Sequence, residues 1–244
     1  MGRGNSHGMT WLRTLERTAV KSHARWRTRP ASRPFLPARP IRGMLLILGL
    51  LATAVCPPEA AATPSDVLVV GQIAEPRSLD PHAVTAVNDF RILVNLYDGL
   101  VRYRDGSLEV EPALARSWEI SDDGRRYTFH LRKDVRFHDG TAFDASAVKF
   151  NFDRMLLPDH PYHDTGPFPL AFFFQSIQRT EVIDRYTVRF HLDAPYAPLL
   201  SNLAYPTGLI ASPEAIREHG ADYGRHPSGT GPFRFRRWEP NRQV

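Results

Sequence analysis

A segment with two histidines and an aspartate, His-Pro-Tyr-His-Asp at residues 160–164, is the part of the sequence that comes nearest to a metal site. His160, His163 and Asp164 are metal-ligating residue types, but a structural or catalytic zinc needs three or four ligands in a fixed geometry. This segment lies within residues 157–169, an irregular stretch that holds four prolines. The sequence therefore predicts no metal site.

Two other patterns could indicate enzyme chemistry. Gly229 and Gly231 form a Gly-x-Gly pair of the kind that can cradle phosphate, but Pro232 follows and no helix is predicted there, so the dinucleotide pattern fails. The serines that could act as nucleophiles are better explained as helix caps and turn residues: Ser201, Ser212 and Ser228. We therefore expect no catalytic residues, no enzyme activity and no cofactor.

Two β-hairpins and a capped helix are the elements that would position a site. Apolar residues alternate along residues 118–131 on both sides of Asp123-Gly124, and again along residues 177–192 around Asp184-Arg185. Asp144 is a good N-cap for the helix between these hairpins, and a later helix is predicted to start at Ser212-Pro213. Each hairpin should bury one face.

The two ends of the folded region are predicted to add strands. Residues 67–71, VLVVG, form a continuous apolar run typical of a strand buried on both faces, and residues 233–238 follow the glycine turn as a further strand. Between them, Asn88 or Asp89 is expected to cap a helix that ends near Gly99.

The positive charge belongs to the first part of the chain. The 244 residues carry a net charge of +5, but residues 1–43 hold ten Lys and Arg against one acidic residue, Glu16. The remaining chain has 21 basic and 25 acidic side chains, interleaved throughout. Because nucleic-acid binding needs basic residues clustered on the folded domain, we expect no nucleic-acid partner.

The basic segment leads into a pattern typical of a secretory signal peptide. An apolar run at residues 44–55 is too short to span a bilayer comfortably, and Ala60 and Ala62 form an A-x-A site, so cleavage is expected after Ala62. A buried helix or membrane anchor is the alternative. Cys56 could instead be lipidated and hold the protein at a membrane surface. If cleavage follows Ala62, the mature chain contains no cysteine and no disulfide.

Five motifs cover essentially all of residues 66–244, and the most specific is the hairpin and helix at residues 114–154. They are LDPH (79–82), LYDGLV (96–101), LARSWEISDDGRRYTFHLRKDVRFHDGTAFDASAVKFNFDR (114–154), RYTVRFHLDAPYAPLL (185–200) and GTGPFRF (229–235). In order and spacing these motifs resemble the N-terminal half of the family 5 extracellular solute-binding proteins, which serve ABC importers for oligopeptides, dipeptides, glutathione and nickel.

The resemblance implies a mixed α/β fold, that of a periplasmic binding protein of the second type, in which two lobes close over a ligand at a hinge. Members are usually about twice as long, so this chain is expected to be truncated and to provide lobe I without lobe II. Residues 1–62 would form the basic leader and signal peptide, and residues 63–244 the lobe. Within the lobe, 63–108 and 228–244 would form the central sheet part and 109–227 a flanking subdomain.

The resemblance also implies where a ligand would lie. In peptide-binding relatives the loop after LDPH pairs its backbone with the ligand as an added strand, a mode that leaves ligand side chains to pockets. In this sequence the loop supplies Thr85, Ala86, Val87 and Asn88. The aromatic residue that stacks on the ligand comes from the loop after the capped helix, which makes Tyr162 or Phe168 the candidate.

The implied function is that of a periplasmic, monomeric receptor that delivers a peptide or related small solute to an ABC permease in the inner membrane. The alternative is a remnant or structural domain that has lost ligand binding together with lobe II. A distant third alternative is a secreted hydrolase, which would need a nucleophile and a base in one cleft. Peptides, sugars, opines and nickel complexes share the same lobe I signature, so the ligand is not identified by these residues.

Overall fold

The computed structural model describes residues 66–244 and joins the two predicted hairpins into one antiparallel sheet. The strands are β1 (Val101–Tyr103), β2 (Val110–Pro112), β3 (Ala115–Ile120), β4 (Arg126–Leu131), β5 (Ile177–Asp184) and β6 (Thr187–Leu192). β1 pairs with β2, and the larger sheet has the order β3-β4-β6-β5. Both predicted hairpins are confirmed, since β3 pairs with β4 and β5 with β6.

The described region also contains four α-helices and several short 3-10 turns. The helices are α1 (Val87–Leu96), α2 (Ala145–Leu156), α3 (Leu199–Ala204) and α4 (Pro213–His219). α4 begins as predicted, with the Ser212 side chain accepting a hydrogen bond from the Ala215 N–H and Pro213 in the first turn. Gly220, at φ +53°, ends the helix in a conformation that favours glycine.

One face of the four-stranded sheet and α2 enclose the larger apolar core. The aromatic ring of Phe152 on α2 lies 4.7 Å from that of Phe190 on β6 and 5.1 Å from that of Phe174. Phe129 on β4 completes this group at 5.7 Å from Phe190, and all four rings are fully buried. The alternating pattern in the hairpins therefore buries its aromatic residues against a helix, as such a pattern requires.

A second apolar cluster lies around α1 and α4. Its fully buried members come from well-separated parts of the sequence: Leu79, Leu93, Tyr97, Ala211, Ile216 and Tyr223. α2 joins the two clusters, because Phe152 and Met155 pack in the larger cluster while Phe150 packs against the second. The segments that follow LDPH and α4 are therefore held close together in space.

The start of α2 is capped as predicted. The Asp144 carboxylate accepts hydrogen bonds from the N–H groups of Ser146 at 3.0 Å and Ala147 at 3.2 Å. These are two of the backbone donors that a helix start leaves without an intrahelical partner.

Replacing this cap should weaken the whole fold, since α2 belongs to both clusters. We expect Asp144→Ala to lower the free energy of unfolding by about 1 kcal/mol, whereas Asp144→Ser, which can still cap, should lose only a fraction of that. Urea denaturation measures both variants. Equal losses for Ala and Ser would contradict the capping role.

The two predicted terminal strands are wrong for this structure. Residues 67–71 and 233–238 are not in strands, and the side chain of Leu68 is 82% exposed. A strand is stable only when a neighbour satisfies its backbone, and no strand within residues 66–244 pairs with residues 67–71. Phe233 instead donates its N–H to the Asn95 carbonyl at the end of α1. The central sheet part proposed for 63–108 and 228–244 stays a prediction.

Candidate functional site

Three segments enclose a cleft of about 520 Å³. The first wall is residues 77–85, the second is residues 167–169 and the third is residues 221–225, all of which contribute lining residues. The first wall contains LDPH, the second belongs to the proline-rich loop after α2, and the third follows α4. These are the segments between regular elements where binding residues are often found.

The first wall carries the predicted ligand loop. Thr85 lines the cleft and its side-chain oxygen accepts a hydrogen bond from Arg77 Nη2 at 3.4 Å. Ala86, beside it, is extended (φ −87°, ψ 140°) and occupies the N-cap position of α1. Within residues 66–244, the backbone N–H groups of Thr85, Ala86 and Val87 have no hydrogen-bond partner. This edge can therefore donate main-chain hydrogen bonds to another molecule.

The helix after this loop begins earlier than predicted. Neither Asn88 nor Asp89 caps it, and Val87 and Asn88 lie in the first turn of α1. The Asp89 carboxylate is instead occupied from outside the helix, because its Oδ1 accepts the Arg77 N–H at 3.0 Å. This contact anchors the start of the first wall to α1. Because α1 begins at Val87, the extended segment before it ends at Ala86 and is shorter than the sequence predicts.

The two predicted aromatic residues lie beside the cleft rather than on its surface. Phe168 is only 6% exposed, at φ +40°, and its ring packs 4.8 Å from the Arg154 guanidinium. Its neighbours Pro167 and Pro169 form the cleft wall. Tyr162 is half-buried and packs against Phe150, with ring centroids 5.6 Å apart. The structure therefore brings Thr85 into the cleft and places the Phe168 ring behind the second wall.

A buried polar network joins the first wall to α2. Arg154 Nη2 donates to Asp80 Oδ2 at 2.6 Å, and both side chains are almost fully buried. The His82 Nε2–H donates to the Leu209 carbonyl at 2.9 Å, and His82 Nδ1 faces Arg154 Nη1 at 3.4 Å. Since a carbonyl only accepts and a guanidinium only donates, His82 must be the neutral Nε2–H tautomer.

Burial lowers the pKa of His82 from 6.5 to about 4. Loss of solvation is the main cause; the Asp80 carboxylate opposes it and the Arg154 guanidinium adds to it. His82 is therefore uncharged at neutral pH. Its hydrogen bond to the Leu209 carbonyl links LDPH to the segment before α4. The motif residue serves the scaffold of the cleft and has no exposed surface for a ligand.

Two buried tyrosines fix the third wall to the first. The Tyr97 hydroxyl donates to the Leu79 carbonyl at 2.8 Å and lies 3.0 Å from the Tyr223 hydroxyl. The Tyr223 hydroxyl in turn donates to the Ser228 carbonyl at 3.0 Å. Burial raises the pKa of both tyrosines above the ordinary value, so both stay neutral. The walls are thus connected by hydrogen bonds as well as by apolar packing.

The charged residues of the cleft were missed by sequence reasoning. Arg77, Asp222 and Arg225 all line it. The Arg225 guanidinium stacks 3.6 Å from the centre of the Trp238 ring, and the Trp238 indole N–H donates to Glu75 at 2.7 Å. Stacking of this kind holds a guanidinium in place while leaving its edge free to donate.

In the histidine-rich segment at residues 160–164, both histidines are hydrogen-bonded through Nδ1 to backbone groups. The His163 Nδ1–H donates to the Arg154 carbonyl at 2.9 Å, and His160 Nδ1 accepts the Tyr162 N–H at 3.3 Å. Nowhere in the described part of the chain do three or more His, Cys, Asp or Glu residues come together in a way that could hold a metal ion.

Comparison with known proteins identifies the family. The family model described as bacterial extracellular solute-binding proteins, family 5 Middle, matches residues 109–244. The chain belongs to this family. The resemblance carried by the five motifs is therefore confirmed, and the hairpins and α2 lie largely inside the matched region.

Two curated family 5 proteins show how much of the family's length is present. A probable D,D-dipeptide-binding periplasmic protein of Escherichia coli is 35% identical over 207 residues, which cover 81% of this chain and 39% of that protein. The di/tripeptide-binding protein 2 of Pseudomonas aeruginosa is 39% identical over 225 residues, covering 85% of this chain and 41% of that protein. The chain thus spans about two fifths of the length of these relatives. Both relatives are binding proteins and not enzymes, in agreement with the prediction that this chain has no enzyme activity.

A solved family 5 structure supports the same fold. The ABC transporter-associated periplasmic binding protein of Helicobacter pylori, in complex with the peptide STSA, matches with a TM-score of 0.62 and 36% identity over 68% of this chain. The match covers 36% of the Helicobacter pylori chain, in agreement with one lobe. The predicted mixed α/β fold of a periplasmic binding protein is confirmed.

Proposed function

We propose that this chain is the ligand-binding lobe I of a periplasmic receptor for an ABC importer, and that it binds a peptide or a related small solute in the cleft between its three walls. The observation that carries the proposal is a row of backbone N–H groups, at Thr85, Ala86 and Val87, that have no partner within residues 66–244 and lie beside a cleft of about 520 Å³. The names of the relatives, which include D,D-dipeptide, di/tripeptide and peptide binders, support a peptide-like ligand.

Main-chain pairing is the binding mode that these groups favour. An extended peptide presents carbonyl groups along one edge, and a protein edge with free N–H groups can accept it as an added strand. Thr85 and Val87 are the first choices for such pairing, because their backbone N–H groups flank Ala86 and have no partner within residues 66–244. Ligand side chains would then meet the surfaces of the second and third walls. Pro167 and Pro169 provide apolar contact on the second wall.

The charges in the cleft fit a zwitterionic or carboxylate-bearing solute. Arg77 and Arg225 are exposed, as is Asp222, so both signs of charge are available along the lining. Guanidinium groups match carboxylates through paired hydrogen bonds, and a carboxylate such as that of Asp222 suits an ammonium group. A small peptide carries both groups.

Binding by this chain alone should be weak. A receptor of this type surrounds its ligand with two lobes, so lobe I supplies only part of the contacts and cannot close over the solute. We expect isothermal titration of the 244-residue chain with mixed di- to pentapeptides to show no binding of micromolar or higher affinity. Micromolar or tighter binding would contradict this expectation.

Two measurements separate the receptor from a remnant that no longer binds solute. An in-frame continuation in the downstream nucleotide sequence, encoding about as many residues again, supports the receptor. Amide shifts in nuclear magnetic resonance with millimolar peptide would also support it, because a remnant would show none.

Cellular location and partners follow from the same proposal. We place the receptor in the periplasm as a monomer, exported by the signal peptide and docking on an inner-membrane permease. No helix formed by residues 66–244 has the length and apolar character needed to cross a membrane. The signal peptide with cleavage after Ala62, and the possible lipid anchor at Cys56, lie outside the described residues.

A further inference from the structure

Arg154 occupies an unusual position on α2. Its side chain is completely buried, while its neighbour Met155 packs in the larger core. A buried guanidinium has five N–H donors and a full positive charge, so it is costly unless several partners surround it. The partners of Arg154 are therefore informative about its role.

Its hydrogen bonds reach two walls of the cleft. Arg154 Nη2 donates to Asp80 Oδ2 at 2.6 Å and Nη1 faces His82 Nδ1 at 3.4 Å, both in the first wall. Arg154 Nε donates to Thr165 Oγ1 at 2.9 Å, at the entry to the second wall. One planar group thus contacts two loops, at Asp80 and Thr165, that lie 85 positions apart in sequence.

Two aromatic rings near the guanidinium extend its contacts to the rest of the cleft. The guanidinium carbon lies 4.8 Å from the centre of the Phe168 ring, within the second wall. It lies 5.9 Å from the centre of the Tyr223 ring, within the third wall. Both distances lie within the range of cation–π attraction.

We propose that Arg154 is a positioning residue that holds the three walls of the cleft in their relative places. Stability alone does not explain such a group, because a buried ion pair is often replaceable by apolar side chains of similar volume without loss. A planar cation with several donors is what lets one residue meet a carboxylate, a hydroxyl and two rings at once. The inference rests on the proposed function only for the statement that the cleft binds a solute.

Amide hydrogen exchange of the 244-residue chain tests this without any ligand. Each wall region has a hydrogen-bonded reporter amide: Ala83 N–H to the Asp80 carbonyl, Thr165 N–H to the Tyr162 carbonyl and His226 N–H to the Tyr223 carbonyl. In Arg154→Met we expect all three to exchange at least about tenfold faster relative to the amides of β4 and β6, because local opening is no longer opposed.

Arg154→Lys separates the contact with Asp80 from the other contacts of Arg154. It also tests the proposal if Arg154→Met does not fold. A lysine keeps a point charge for Asp80 but cannot also meet Thr165 and lie flat on Phe168. We therefore expect the Ala83 amide to stay protected while the Thr165 amide loses protection.

Met155→Ala is the matched control, since it weakens the same helix from its other side. Met155→Ala should speed amide exchange in the walls and in the sheet to a similar extent. The proposal is overturned if the Arg154 variants change wall and sheet amides equally, or if Met155→Ala reproduces their pattern. Because no ligand is present, this result is independent of whether the cleft binds peptide.

Discussion

Lowering the pH from 7 to 4.5 is expected to reduce the free energy of unfolding by roughly 2–3 kcal/mol through His82 alone. The pKa of His82 is about 4 in the folded chain and 6.5 for the unperturbed side chain. Between these values the unfolded chain binds a proton that the folded chain does not, so acid favours unfolding. The stabilising effect of neutral His82 is complete above pH 6.5 and is lost as the pH falls toward 4.

Urea denaturation at several pH values measures this slope. His82→Gln removes the titrating group while an amide can still donate to the Leu209 carbonyl, so its stability should change much less between pH 6.5 and 4.5. His160→Gln is the matched control, because burial also lowers the pKa of His160, but that ring is only partly buried. An unchanged slope in His82→Gln would contradict the assignment. Carboxylates whose pKa is lowered, such as that of Asp139, contribute mainly below this window.

Gly229→Ala is expected to lower the free energy of unfolding by about 3 kcal/mol or more. A Cβ atom at residue 229 would lie 2.1 Å from the Leu96 carbonyl oxygen and 2.5 Å from the Tyr97 ring. The carbonyl is backbone at the end of α1 and the ring is fully buried, so neither can move away cheaply. The turn itself is fixed, because the Gly229 carbonyl accepts the His138 N–H at 2.8 Å.

Gly71→Ala is the matched control for this substitution. Nothing lies within 4 Å of a Cβ at residue 71, and this glycine is exposed, so the variant should be neutral within about 0.5 kcal/mol. Thermal or urea unfolding of both variants provides the comparison. Equal stability of Gly229→Ala and the parent chain would show that the Gly-x-Gly turn is not needed for close backbone approach.

Local signals predicted the two hairpins and two helix starts correctly for a physical reason. Alternation along residues 118–131 reports directly which side chains face the core, and Asp144 caps through contacts two and three residues away. Residues 67–71 have equally strong local character but lack a strand partner within the described chain. Strand formation depends on that distant partner, which local pattern does not reveal.

The cleft was predictable only in part. The resemblance predicts Thr85 as a ligand contact, and the structure places it on the lining of the cleft. Its contact with a ligand stays a prediction. Asp89 looked like a helix cap, and nothing near it in sequence indicates that its carboxylate accepts the Arg77 N–H. Arg154 carried no signal either, because its partner Asp80 lies 74 residues away. Such long-range polar pairs decide how loops are placed, and they emerge only once the chain is folded.

Amide-resolved titration with tri-alanine at millimolar concentration is the most direct test of the cleft as the solute-binding surface. Val87→Pro removes the Val87 N–H, which has no hydrogen-bond partner among residues 66–244. Val87 is the first position of α1, where proline is well tolerated, and Ala86 before it already has a compatible conformation. Val87→Ala keeps that N–H and is the control. We predict saturable shifts at residues 84–87 that are retained in Val87→Ala and largely lost in Val87→Pro. Equal shifts in Val87→Pro, or shifts centred on the exposed face of the four-stranded sheet, would contradict the account.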